Sequence, residues 1–143
     1  MKILNNLSDV SKNPKAVTIG NFDGIHKGHQ ALINETSKIS TKNNVESMIF
    51  TFNKLPKEIF SPDSVQRLYD NKIKESILSS YKIDTLLSID FNEIKDYSAD
   101  FFCEEILIKK LNVRYLIIGE NFKFGKDLSL IHISEPTRPL YIS

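Results

Sequence analysis

In Val17-Thr-Ile-Gly-Asn-Phe-Asp-Gly-Ile-His-Lys-Gly-His29 an apolar strand ends, the chain turns on glycines, and two histidines three residues apart open a helix. The strand begins at Lys15 and the helical pattern runs to about Lys42, so the segment reads strand, loop, helix. The chain then repeats the alternation. Val45 to Phe52 closes on an apolar run of β-branched and aromatic residues, the composition of a buried parallel strand. Pro56 and Pro62 keep Lys54 to Asp63 from extending it. Tyr69, Ile73, Ile77 and Tyr81 recur every fourth residue, flanked by Leu68 and Leu78, and predict a helix from about Ser64 to Tyr81 with that stripe against a sheet. Thr85 to Ile89 predicts a third strand. Ser98 caps a predicted helix through about Leu111 with Phe102, Cys103, Ile106 and Leu107 inward, and Val113 to Ile118 predicts a fourth strand.

The order β-α-β-α-β-α-β implies a parallel sheet joined by right-handed crossovers, hence an α/β Rossmann-like three-layer sandwich. Ligands of such sheets bind beyond the carboxyl ends of the strands. Two polar, glycine-bearing loops lie at such ends: Gly20 to His29 after the first predicted strand and Gly119 to Asp127 after the fourth.

Glycines let backbone N–H groups approach an anion, and the free N–H groups of a helix N-terminus favour negative charge there. Gly24 and Gly28 are placed for a phosphate. His26 and His29 stand one helical turn apart, so both imidazoles can donate hydrogen bonds to charge developing on one side of a polyphosphate. Neither has to act as a base: nucleotidyl transfer to a phosphate nucleophile, already ionised, needs mainly alignment and charge stabilisation. Two other readings of the pair are a metal site and an exposed first turn. A closed zinc site wants a third and fourth ligand. The one other histidine is His132, Cys103 sits in a core stripe, and Asp23 alone is not enough, so no protein metal site is expected. The spacing matches neither the P-loop nor the G-x-G-x-x-G fingerprint.

The chain has 143 residues, 41% hydrophobic and 26% charged, which fits one soluble globular domain. Its 19 Lys plus Arg balance 18 Asp plus Glu, and a net charge of +1 gives no field for a nucleic-acid partner. No apolar run approaches the ~20 residues of a membrane helix, and Met1 to Val10 lacks a secretory core, so the expected location is cytoplasmic. The single cysteine, Cys103, can form neither an internal disulfide nor a cysteine metal cluster and is expected in the core.

The string Gly20-Asn-Phe-Asp-Gly-Ile-His-Lys-Gly-His29 resembles the H-x-G-H signature of the α/β nucleotidyltransferase superfamily. Its longer F-D-G-x-H-x-G-H-Q form is that of bacterial FAD synthetases, the adenylyltransferase modules of bifunctional riboflavin kinase/FMN adenylyltransferases. Gly119-Glu-Asn-Phe-Lys-Phe-Gly125 resembles the same family's G-x-D/N-F-x-F-G loop. The resemblance spans residues 15 to 127. It implies transfer of AMP from ATP to FMN with Mg2+, with ATP and FMN as partners. His26 and His29 would contact the ATP phosphates, Phe22, Asp23, Gly24 and Gly28 would shape the nucleotide pocket, and Asn121 would lie near the phosphates or magnesium. Pro56, Phe60 and Phe124 match flavin-wall positions; Phe102 matches another and equally fits the inward stripe of its helix. Where the family has T-F-D/N-P-H-P, this chain reads Thr51-Phe-Asn-Lys-Leu-Pro56, and the family's I-S-S-T-x-I-R segment has no counterpart. An inactive nucleotide- or flavin-binding fragment and a nucleotidyltransferase with another phosphorylated acceptor are the competing readings.

Residues 1 to 127 hold all 16 Lys, all 12 Asn and all five Gly, and residues 128 to 143 hold none. Leu128-Ser-Leu-Ile-His-Ile-Ser-Glu-Pro-Thr-Arg138 resembles the in-frame translation of a transposon-end adapter used for sequencing libraries. The expected organisation is therefore the N-terminal part of an adenylyltransferase domain over 1–127, incomplete at its C-terminus, and a non-native tail over 128–143. A native strand from Leu128 to Ile133 followed by a loop is the alternative.

Overall fold

A computed structural model describes residues 1–22, 27–54, 64–119, 123–124, 129–130 and 140–142 of the protein, and for 54, 64–70 and everything after 119 the backbone alone. The strands are β1 (Lys2–Leu4), β2 (Lys15–Ile19), β3 (Glu46–Lys54), β4 (Thr85–Asp90), β5 (Val113–Ile118), β6 (Lys123–Phe124), β7 (Ser129–Leu130) and β8 (Leu140–Ile142). Helix α1 covers Lys27–Asn43, α2 Ser64–Leu78, and α3 Ala99–Phe101, which runs on as a π-helical stretch, Phe102–Lys110. Six strands form one sheet in the order β1-β4-β3-β2-β5-β8, every pairing parallel. The four predicted strands and the three-layer architecture are present.

Alternation along the strands divides the core into two faces, as a sheet covered on both sides requires. Ala16 and Ile117 meet Leu32 and Ile39 of α1, and Ile49 and Leu86 meet Ile33 of α1 and Leu78 of α2. On the other face Val17, Ile19, Phe50, Leu87 and Leu116 pack against Phe102, Cys103, Ile106 and Leu107. Each such fully buried side chain stabilises the fold by roughly 1.5–3 kcal/mol relative to exposure. Ser98 caps α3 as expected, its Oγ accepting the Phe101 N–H at 3.1 Å. The wider π turn closes where the Leu111 N–H reaches the Ile106 carbonyl, five residues back, at 2.9 Å.

Three features depart from expectation or add to it. Helix α2 stops at Leu78 and buries Lys74 and Leu78, while Ile73 and Ile77 are each 44% exposed. Its inward face is thus rotated by one residue from the apolar stripe, because the Lys74 ammonium finds carbonyl partners at the sheet. Tyr81, beyond the helix, is partly buried against the same core; the side chains of Leu68 and Tyr69 lie outside the described residues. Strand β1 adds a parallel edge beside β4, too short to show periodicity in the sequence. Strand β8 falls within the compositionally distinct segment and covers the outer edge of β5, pairing Leu116 with Leu140 and Ile118 with Ile142. An open strand edge is a template that any apolar extended segment can fill.

Candidate active site

The strand order reverses at β2. The chain passes from β2 to β3 and β4 on one side, then returns to place β5 on the other side. This reversal is where parallel α/β sheets open a crevice at their carboxyl ends. Thr18 of β2 pairs with Ile117 of β5, and continuing that register brings Gly20 level with Gly119. The two glycine-bearing loops therefore leave the sheet side by side. Helix α1 lies over their start: a Cβ at Gly119 would come to 3.9 Å from Leu32 Cδ1.

At Gly20 the N–H completes the β2–β3 ladder, donating to the Phe50 carbonyl at 3.1 Å. A Cβ there would meet the Phe22 ring at 3.2 Å, so a larger residue would have to displace that ring by a few tenths of an ångström. Phe22 adopts a left-handed φ of 53° and is buried, turning its ring back into the core beside Ile33 and Leu78. That ring also meets the His29 imidazole, with centroids 5.1 Å apart and planes at 56°. In the first turn of α1, Lys27 and Gly28 are exposed and His29 half-buried. The N-terminus of α1, the positive end of its dipole, lies at the carboxyl end of β2.

Of the residues singled out from the sequence, the structure brings Phe22, Gly28 and His29 together. Asp23, Gly24, His26, Pro56, Phe60 and Asn121 lie outside the described residues. Phe124 belongs to the short β6, paired with Ser129 of β7. Phe102 is fully buried, its ring 5.9 Å from that of Phe50, so it packs in the core instead of walling a ligand site. Cys103 is buried as expected, and burial, with Asp100 and Glu104 nearby, pushes its thiol up to about 11. Among the described residues, no cluster of His, Cys, Asp or Glu could hold a metal ion. No helix among them is long and apolar enough to cross a membrane.

Sequence reasoning missed Lys74 and Thr51. The Lys74 ammonium donates to the carbonyls of Asn21 at 2.8 Å and Phe52 at 3.0 Å, directly beneath the first loop. Thr51 Oγ1 donates to the same Asn21 carbonyl at 3.0 Å. A lysine one position off an apolar stripe reads as solvent-facing; the usable signal was the need for donors at carbonyls leaving the sheet. A hollow of about 370 Å³ at this end is lined by Asn5, Asn53, Asn71, Glu75 and Asp90 among others. A larger one, about 510 Å³, lies at the opposite end around Ser40, Ser47 and Asp84, away from the strand carboxyl ends.

A parallel sheet reversing at β2, with a tight glycine turn and a helix N-terminus at the reversal, makes this a doubly wound α/β protein, nucleotidyltransferase-like in layout. The family model described as FAD synthetase matches residues 8–130, and the chain belongs to the FAD synthetase family. The bifunctional riboflavin kinase/FMN adenylyltransferase of Buchnera aphidicola subsp. Schizaphis graminum is 42% identical over 124 residues, 85% of this chain and 39% of that protein. The enzyme of the same description from Escherichia coli K12 is 32% identical over 130 residues, covering 87% and 42%. The chain thus spans about two-fifths of the length of these curated relatives. A solved structure described as a macrolide-efflux protein from Streptococcus pneumoniae superposes with a TM-score of 0.74 at 26% identity, covering 99% of this chain and 50% of that one.

Proposed function

We propose that this chain carries the site at which AMP passes from ATP to FMN, giving FAD and pyrophosphate. The observation that supports the reading best is the strand-order reversal at β2, which sets the Gly20 turn beside the start of the Gly119 loop with α1 packed over them. In the reaction an oxygen of the FMN phosphate attacks the α-phosphorus of ATP. The new O–P bond forms as the bond from that phosphorus to the α–β bridging oxygen breaks, and pyrophosphate departs with the electron pair. Charge builds on the α-phosphoryl and bridging oxygens, and His26 and His29 donate hydrogen bonds to it, with Asp23, Gly24 and Gly28 shaping the phosphate cradle. ATP would be taken up as its magnesium complex, the ion supplying charge neutralisation for the phosphates, and Asn121 would bind near the phosphates or the magnesium. Pro56, Phe60 and Phe124 pack against the isoalloxazine. A single cysteine suits a reducing compartment, and we place the activity in the cytoplasm.

Incubation of the chain with FMN and MgATP tests the reading: FAD and pyrophosphate should appear in equal amounts, and His29→Ala should lower the rate by about 10²–10³-fold. A second reading, binding of ATP or FMN without turnover, is favoured by the lack of an I-S-S-T-x-I-R string in these 143 residues. Calorimetric titration that shows both ligands bound while no FAD forms selects it. Residues 128–143 we read as non-native, and the codons from Leu128 onward test this: a base-for-base adapter match supports it, and a native stop after Ser143 with no such match contradicts it.

A further inference from the structure

Two lysines have their ammonium groups among main-chain carbonyls, one at each end of the sheet. Lys15, at the amino end of β2, donates to the carbonyls of Ser11, Asn13 and Leu111, and so clamps the segment that leads into the strand. Lys74 does the corresponding work at the carboxyl end. It is 8% exposed, and its Nζ reaches the Asn21 carbonyl at 2.8 Å, the Phe52 carbonyl at 3.0 Å and Thr51 Oγ1 at 3.5 Å. The Asn21 carbonyl therefore accepts from both the ammonium and the Thr51 hydroxyl.

That carbonyl belongs to the peptide plane joining Asn21 to Phe22, so fixing it fixes the backbone torsion at Phe22. A bulky residue at a φ of 53° is strained, and such a conformation persists only where its surroundings over-determine it. A charge-assisted hydrogen bond is the stronger of the two restraints on that carbonyl. The Phe22 ring, held in turn, packs on His29. We infer that Lys74 is a positioning residue: it locks the Asn21–Phe22 peptide so that the Phe22 ring holds the His29 imidazole in its orientation. The consequence for nucleotide binding rests on the function proposed above; the orientation of His29 does not.

The test compares Lys74→Met, Lys74→Arg and Lys15→Met in the full chain by ¹H–¹³C spectra of the histidine rings, with His29 assigned from His29→Asn. The Phe22 ring current displaces the His29 signals. Lys74→Met should move them to where Phe22→Leu moves them, Lys74→Arg should hold them in place, and Lys15→Met should lower the urea midpoint without moving them. MgATP affinity should weaken roughly tenfold in Lys74→Met, the scale of one lost charge-assisted contact, and less than about twofold in Lys15→Met. A folded Lys74→Met whose His29 signals stay put overturns the inference. Should that variant not fold, the unsubstituted chain decides: Lys74 ammonium protons shielded from water exchange and close to the Phe22 N–H support it, and freely exchanging ones refute it. If the unsubstituted chain binds no MgATP, the proposed function fails while the ring signals still decide the role of Lys74.

Discussion

The ring of Phe22 packs against the imidazole of His29 at a centroid distance of 5.1 Å, joining a residue buried in the core to one in the first turn of α1. The contact ties the geometry of the glycine turn to a side chain proposed to meet a phosphate. Phe22→Leu keeps most of the apolar burial and removes the ring pair, so it should lower stability by roughly 1–1.5 kcal/mol. Urea unfolding measures the loss, and a loss near zero would show that the pair contributes nothing.

Gly20→Ala should be poorly tolerated. Its Cβ would stand 3.2 Å from the ring of a fully buried phenylalanine, closer than an ordinary contact, so the ring would have to shift. Overpacking of this kind destabilises by about 1–3 kcal/mol. Gly119→Ala is the comparison, since its Cβ meets Leu32 only at an ordinary 3.9 Å. Thermal unfolding of the two should rank them in that order.

Lys15 should give the protein an alkaline stability gradient. Burial pushes its ammonium below the ordinary lysine range, and the Glu46 carboxylate opposes this without outweighing it. The unfolded chain therefore holds more protons than the folded one between the lowered value and the ordinary one. Stability from this group rises with pH across that window and is lowest below it. Lys15→Met leaves the carbonyls of Ser11, Asn13 and Leu111 short of a donor and should destabilise by about 1–3 kcal/mol at neutral pH. The difference between the two proteins should widen as pH climbs, which denaturation at a series of alkaline pH values checks.

Cys103 should be inert in the folded protein. With its thiol raised to about 11 and its side chain 6% exposed, almost no thiolate is available at pH 8. A chromogenic disulfide reagent should react with it only as fast as the protein opens, and immediately in denaturant.

Most of the fold could be read from the sequence because its strands are buried on both faces. Val113–Ile118 appears with its predicted bounds, and Phe102, Cys103, Ile106 and Leu107 all point inward. The phase of α2 could not be read, since apolarity ranks Ile73 and Ile77 above Lys74, whereas the sheet end needs a donor more than it needs another methyl group. Three-residue β1 carries too little pattern to register, and β8, paired with β5, falls on residues 140–142, where the sequence pattern predicted no strand. Of the site, the motif named His29 and Gly28, but the support under them, Phe22 with its left-handed backbone and Lys74 behind Asn21, is a tertiary arrangement between elements far apart in the chain.

The carboxyl end of the sheet between β2 and β5 is where we propose that the nucleotide phosphates bind. Titration of MgATP into the ¹⁵N-labelled chain addresses it directly, whether or not turnover follows. The amide signals of Gly20, Gly28, His29 and Gly119 should move together and saturably, while those of Ser47, Lys82 and Asp84 at the far end of the sheet stay in place. Signals at the crevice that do not respond, or changes centred on the far end, would contradict the account.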